Sequence, residues 1–112
     1  MDITQSRIEP DITVVAPAGR LTLGRETLAF ENMVADLIAK GAQKVILDMT
    51  QLAYVDSAGL GVLLQTASKL KQAGGGLRLA NVGTRVMQVI KMTHTDSVLP
   101  SDADVKTSAT QF

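Results

Sequence analysis

The first two segments with a repeating hydrophobic pattern predict a β-hairpin. From Ile3 to Ile8 polar and apolar residues alternate, as in a half-exposed strand, and Ile12 to Ala16 is β-rich and more fully apolar. The residues Glu9-Pro10-Asp11 separate the two segments and predict a tight turn. We expect Pro17 and Gly19 to end the second strand.

Three later segments predict helices, and the first two show the periodicity of a helix that buries one face. We expect the first to end at Lys40-Gly41, the second to run from near Ser57 to Gly74-Gly75-Gly76, and the third to be capped by Thr84 and to reach about Met92. The inward positions of the first two helices are Phe30, Met33, Val34, Leu37 and Ile38, and then Leu60, Leu63, Leu64, Ala67 and Leu70.

Short apolar runs between these helices predict the remaining strands. Val45 to Leu47 is typical of a central strand covered on both faces, and Leu77 to Ala80 predicts a further strand. Val98-Leu99 suggests a last short strand, and residues 104–112 a terminal helix. The order predicts an α/β fold, with a small mixed sheet that begins with a hairpin and is covered by three to four helices. We expect one domain, residues 1–112.

Composition narrows the class of function. Lys plus Arg and Asp plus Glu both number 11, so the formal net charge is zero, which argues against nucleic-acid and anionic-membrane partners. The chain has no cysteine, no secretory-type start and no apolar run of membrane-spanning length. We therefore expect a cytoplasmic protein that holds no metal and no cofactor.

The most informative segment runs from Tyr54 to Gly61, where a strand region meets a helix start. Asp56 or Ser57 can cap this helix. Gly59 and Gly61 destabilise a first turn, so we interpret them as leaving the backbone open to another molecule. A serine at a helix N-terminus can also carry a phosphate with little strain. Capping and contact are compatible roles.

The stretch from Val45 to Gly61 resembles the signature of STAS domains, and in particular that of the anti-sigma factor antagonists. The turn Gly19-Arg20-Leu21, the glycine-rich stop and the strand Leu77 to Ala80 also follow the family's order. The positions that match the signature are Asp48, Thr50, Leu52, Val55, Asp56, Ser57, Ala58, Gly59 and Leu60.

The resemblance implies a regulator rather than an enzyme. In this family an anti-sigma factor that is also a serine kinase phosphorylates the serine matching Ser57, and a serine phosphatase resets it. The unphosphorylated protein binds the kinase and frees a sigma factor. We expect the partner-binding surface to comprise Asp56, Ser57, Ala58, Gly59, Leu60, Arg20 and Thr22.

Thr22 departs from the family pattern, which often has an acidic residue at this position. The resemblance places this residue in a loop near Ser57, so the change affects how the kinase or phosphate is handled and leaves the fold prediction intact. Arg20 and Arg25 either modify this rim or are ordinary solvated charges.

Other readings use the same residues. The chain could be a ligand-sensing or scaffold STAS module in another signalling or transport assembly. A hydrolase would need His94, the only histidine, beside Ser57, and the Gly-x-Ser-x-Gly elbow is missing. Asp48 and Asp56 could together bind a divalent ion, although turn and capping roles come first. Apolar residues of the third helix, Met87, Ile90 and Met92, pack in the core or contact a partner.

Overall fold

A mixed six-stranded sheet carries the fold in the computed structural model, which describes residues 2–112. The hydrogen-bonded order is β1-β2-β3-β5-β6, and β4 pairs with β2. β1 runs antiparallel to β2 and the other pairs are parallel, which confirms the mixed sheet that begins with a hairpin. The strands are β1 (Asp2–Ile8), β2 (Ile12–Leu21), β3 (Lys44–Asp48), β4 (Leu52–Val55), β5 (Gly76–Ala80) and β6 (Ser101–Asp102).

The prediction that Pro17 and Gly19 end the second strand is wrong, because β2 continues to Leu21. Along one side, β2 pairs with β3 as far as Val15 and with β4 only from Gly19 onward. Gly19 N–H donates to Gln51 O on that side. Because backbone N–H groups point alternately to the two sides of a strand, the nitrogen of Pro17 faces the same side, in the gap between β3 and β4. A proline there removes no ladder hydrogen bond. Gly19, at φ 102°, lies at the adjoining register shift.

Three helices pack on one face of the sheet and one on the other. The larger core joins Val15 and Leu47 of the sheet to side chains of α1, α2 and α3, including Phe30, Leu63 and Ile90. The smaller core lies on the opposite face, because its strand residues alternate with those of the first. The helices are α1 (Arg25–Ala39), α2 (Ser57–Gln72), α3 (Thr84–Met92) and α4 (Val105–Ala109).

The C-terminal part differs in detail from the sequence prediction. Val98-Leu99 is not a strand but part of a turn, because the N–H groups of both residues donate to Thr95 O, and the last strand begins at Ser101. The terminal helix is shorter than predicted and is capped by Asp104, whose side chain accepts from Thr107 N–H. Thr84 is the first residue of α3 and Gly83 its cap. Among residues 2–112, each helix is either too short or too polar to span a lipid bilayer.

An ion pair fastens the last strand and helix to the sheet. Nε of Arg78 in β5 lies 2.7 Å from Oδ2 of Asp102 in β6, and Nη2 lies 3.2 Å from Oδ1. The buried Ser108 hydroxyl donates to the same carboxylate at 2.6 Å. These hydrogen bonds hold the pKa of Asp102 below its ordinary value, Arg78 being the largest cause, so the carboxylate is ionised at neutral pH.

Candidate functional site

Ser57 lies at the edge of the sheet where the parallel strands end. The ladder between β2 and β4 ends at the pair Leu21 and Val55, and α2 starts two residues later. Ser57 is the first residue of the helix and is exposed, as the sequence predicted. Within residues 2–112 its hydroxyl forms no hydrogen bond that would restrain it. A hydroxyl placed in this way is accessible to a second protein.

Asp56 caps α2 and also fastens the loop between β2 and α1. Its Oδ1 accepts from Gly59 N–H at 2.8 Å, and its Oδ2 accepts from Leu23 N–H at 3.0 Å. These two backbone donors, first Gly59 and then Leu23, lower the pKa of Asp56, so the carboxylate stays charged. Asp56 is therefore the cap of the two residues proposed from sequence, and the Ser57 hydroxyl is left free. The contact with Leu23, 33 positions away, had no signal in the sequence.

The reason for Gly59 differs from the one predicted. Gly59 is buried, and a Cβ built on it would lie 1.9 Å from Leu21 O and 2.8 Å from Leu21 C. The molecule that approaches this glycine is thus the chain itself, at the end of β2. A Cβ on Gly61 would meet nothing within 4 Å, so there is open space beside this residue. That another molecule uses this space remains a prediction.

The predicted contact residues divide into exposed and buried sets. Leu60 packs in the larger core and retains 6% exposure, and Gly59 is covered by the end of β2, so neither lines the outer surface. Their burial follows from their positions on the inner side of the first helical turn. The residues that remain on the surface, fully or partly exposed, are Asp56, Ser57, Ala58, Arg20 and Thr22.

Asp48 joins three elements at the same edge of the sheet. Its Oδ1 accepts from the Thr50 backbone at 3.2 Å, the Thr50 hydroxyl at 2.6 Å and Asn81 Nδ2 at 3.1 Å. Partial burial opposes the charge, but these bonds outweigh it and the pKa of Asp48 is lowered. Asp48 thus fixes the turn after β3 to the end of β5. No group of three or more His, Asp or Glu suited to a metal ion occurs among residues 2–112.

Two arginines, Arg85 and Arg20, lie beside Tyr54 at the border of the site. The Arg85 guanidinium carbon lies 5.0 Å from the centre of the Tyr54 ring, within cation–π range. Tyr54 is also the register partner of Arg20 in the β2–β4 ladder. This grouping was not predictable from the sequence, because it depends on a strand that was not predicted. His94 is exposed beyond the end of α3, and no hydrogen bond of the described residues joins it to Ser57.

Comparisons with known proteins agree with the fold. The family model for the STAS domain matches residues 4–108. A Bordetella bronchiseptica protein named as an anti-sigma factor antagonist, BtrV, is 34% identical over 85 residues, which are 73% of each chain. The structure of a Thermotoga maritima protein described as an anti-sigma factor antagonist is similar with a TM-score of 0.90, at 20% identity, over 97% of this chain and 92% of its own. The phosphorylated form of the Bacillus protein SpoIIAA is similar with a TM-score of 0.74, at 15% identity, over 97% of this chain and 98% of its own.

Proposed function

The chain belongs to the STAS domain family, among the anti-sigma factor antagonists, and we propose that it works as a phosphorylation-controlled binding protein. Unphosphorylated, it sequesters an anti-sigma factor that is also a serine kinase, and so frees a sigma factor. The kinase phosphorylates Ser57 and the complex dissociates. A serine phosphatase restores the binding form. The kinase supplies ATP and catalysis, and both partners meet the chain in the cytoplasm.

The observation that carries this proposal is that the Ser57 hydroxyl is exposed and is not needed to cap α2, because Asp56 caps the helix. In many helices the first serine is used as the cap, so its oxygen accepts a backbone N–H. Here Asp56 takes that role, with its carboxylate 2.8 Å from Gly59 N. A kinase can therefore modify Ser57 without removing the hydrogen bond that begins the helix.

Charge explains why modification acts on binding. A phosphate adds about −1.5 to −2 charge at neutral pH, next to the ionised Asp56. In the free domain, solvent and the positive end of α2 compensate that charge. In a complex the same charge is desolvated against a surface adapted to a neutral hydroxyl. A like-charge contact at an interface costs up to several kcal/mol, and each ~1.4 kcal/mol changes affinity tenfold.

The test compares the wild type, Ser57→Ala, Ser57→Asp and the phosphorylated protein. We expect Ser57→Ala to bind the cognate kinase like the wild type and to resist phosphorylation. Ser57→Asp should bind more weakly, and the phosphorylated protein more weakly still, because aspartate carries less charge than phosphoserine. The melting temperature should barely fall in any of them. Equal kinase affinity for all four proteins would reduce Ser57 to a surface residue of the helix start, and unfolding of Ser57→Asp would remove the proposed mechanism.

A further inference from the structure

Two large apolar side chains are exposed at the start of α1, and the first of them adjoins the residue before Ser57. Leu23 keeps 81% and Leu28 keeps 58% of its possible exposure. Among residues 2–112 the other large apolar side chains with comparable exposure, such as Met92 and Val98, lie at or beyond the end of α3. Single exposed apolar side chains are ordinary on a protein surface, so the case for a binding surface depends on where these two leucines lie.

Three contacts hold Leu23 in a fixed place relative to Ser57. Leu23 N–H donates to Asp56 Oδ2 at 3.0 Å, and Asp56 N–H donates to Leu21 O at 3.3 Å. The Leu21 carbonyl also lies directly over Gly59 in the first turn of α2. The loop that carries Leu23 is thus joined to the residue before Ser57, and the two form one continuous surface.

Helix formation alone does not account for the two leucines. Gly24 is the N-cap of α1, so Leu23 and Leu28 occupy the positions that form a hydrophobic staple. A staple covers both side chains by contact between them. Leu23, at 81% exposure, has at most about a fifth of its surface covered by anything in the chain. Most of its apolar area is therefore available to another molecule.

Both signs of charge lie beside these leucines, because Glu26 is in the first turn of α1 and the Asp56 carboxylate accepts from Leu23 N–H. Arg25 is the first residue of α1, where a cation is unfavourable to the helix dipole, so its presence there is not explained by helix stability. Arg20, at the end of β2, is exposed as well. Neither arginine forms an ion pair within residues 2–112. A partner with carboxylates placed opposite Arg20 and Arg25 would complement these two unpaired charges.

We infer that Leu23 and Leu28 are the apolar anchors by which the chain binds its anti-sigma kinase, and that the kinase offers an apolar pocket bordered by carboxylates. This inference rests on the proposed function and identifies the chemistry of the partner's surface. Carboxylates that attract Arg20 and Arg25 would also repel a phosphate on Ser57, which adds about −1.5 to −2 charge to the single charge that Asp56 already places there.

The experiment uses the purified serine kinase that phosphorylates this chain but not its Ser57→Ala variant. Its affinity is measured by titration calorimetry for wild type, Leu23→Gln, Leu28→Gln, Ser57→Asp and a matched control, Met92→Gln. Met92 is 79% exposed and ends α3, about 12 Å along that helix from its start. We expect each leucine variant to lose about tenfold or more in affinity, as for central interface anchors, and the control to change less than about twofold.

The charge of the rim is tested with Arg25→Glu at two salt concentrations. This variant should bind more weakly than wild type, and its deficit should shrink at high salt because exposed charges are screened. All substituted side chains are exposed, and urea unfolding of each variant verifies that stability is retained.

The outcomes separate the inference from the proposed function. If the leucine variants bind like wild type while Ser57→Asp does not, the anchors lie elsewhere and the inference is wrong. If sedimentation shows that the leucines instead mediate self-association, with kinase affinity unchanged, the occupant is a second copy and the inference is again overturned. If every variant, Ser57→Asp included, binds equally, the proposed function fails as well.

Discussion

Gly59→Ala places a methyl group where the end of β2 already lies. The new Cβ would be 1.9 Å from Leu21 O, 2.8 Å from Leu21 C and 3.1 Å from Val55 Cγ1. The nearest of these is a backbone atom, and it belongs to the residue that pairs with Val55 and accepts from Asp56 N–H. The strand end and the helix start must therefore separate by more than 1 Å before the alanine fits.

The size of the effect follows from these contacts. Inserting a methyl group into a tightly packed site destabilises by about 1–3 kcal/mol, and weakening one buried backbone hydrogen bond adds about 1 kcal/mol. The higher helix propensity of alanine returns about 0.5–1 kcal/mol. We expect Gly59→Ala to lower the free energy of unfolding by about 2–3 kcal/mol, which is on the order of 10 °C in melting temperature.

Gly61→Ala is the matched control, two positions further along the same helix. A Cβ there meets nothing within 4 Å, so only helix propensity acts and the variant should gain up to about 1 kcal/mol. Urea unfolding followed by circular dichroism measures both variants. If Gly59→Ala is as stable as Gly61→Ala, the close approach of Leu21 does not govern this position and the packing argument fails.

Two further predictions concern stability away from Ser57. Asp102→Asn should lower the free energy of unfolding by about 2 kcal/mol, because it leaves the largely covered Arg78 without its ion pair. Asp36→Asn, in the exposed pair with Lys40, should change the free energy of unfolding by less than about 0.5 kcal/mol. Equal effects of the two substitutions in urea unfolding would contradict this. The pKa values of Asp48, Asp56, Asp102 and Asp104 are lowered by folding, so the stability they contribute is present above the unfolded value of about 4 and is lost as the pH falls through their folded values. When the melting temperature is measured between pH 7 and pH 2, it should therefore decrease once the pH is below about 4. The decrease should be less steep in Asp56→Asn. If that variant loses stability at low pH as steeply as the wild type, Asp56 does not contribute.

Features set by local sequence were predictable, and features set by distant partners were not. The start of α2 and the exposure of Ser57 followed from a capping residue and a helical period, both of which act within one turn. The strand Leu52–Val55 was missed because it has four residues and exists through its pairing with β2. The extension of β2 past Pro17 was missed for the same reason, since the gap between its partners is visible only in the assembled sheet.

The site itself shows this division in a single residue. The sequence identified Asp56 as a candidate cap, and one of its oxygens has that role. The other oxygen binds Leu23, which lies 33 positions earlier and reaches Asp56 only through the β2–β4 ladder. Gly59 was likewise identified as unusual, but its explanation lies in the Leu21 carbonyl that faces it. A local motif thus located the site, while the tertiary contacts determine its shape.

These contacts also explain why a phosphate on Ser57 would act on a partner rather than on the fold. Asp56 is held in its ionised form by two backbone donors, so it does not depend on the state of Ser57 to cap the helix. Ser57 itself is exposed, and water around it screens an added charge. The proposed interface removes that water when it forms, and the charge is then opposed by whatever carboxylates meet Arg20 and Arg25. A phosphate on Ser57 would therefore lower the stability of the complex much more than the stability of the free domain, and a reversible binding switch requires this difference.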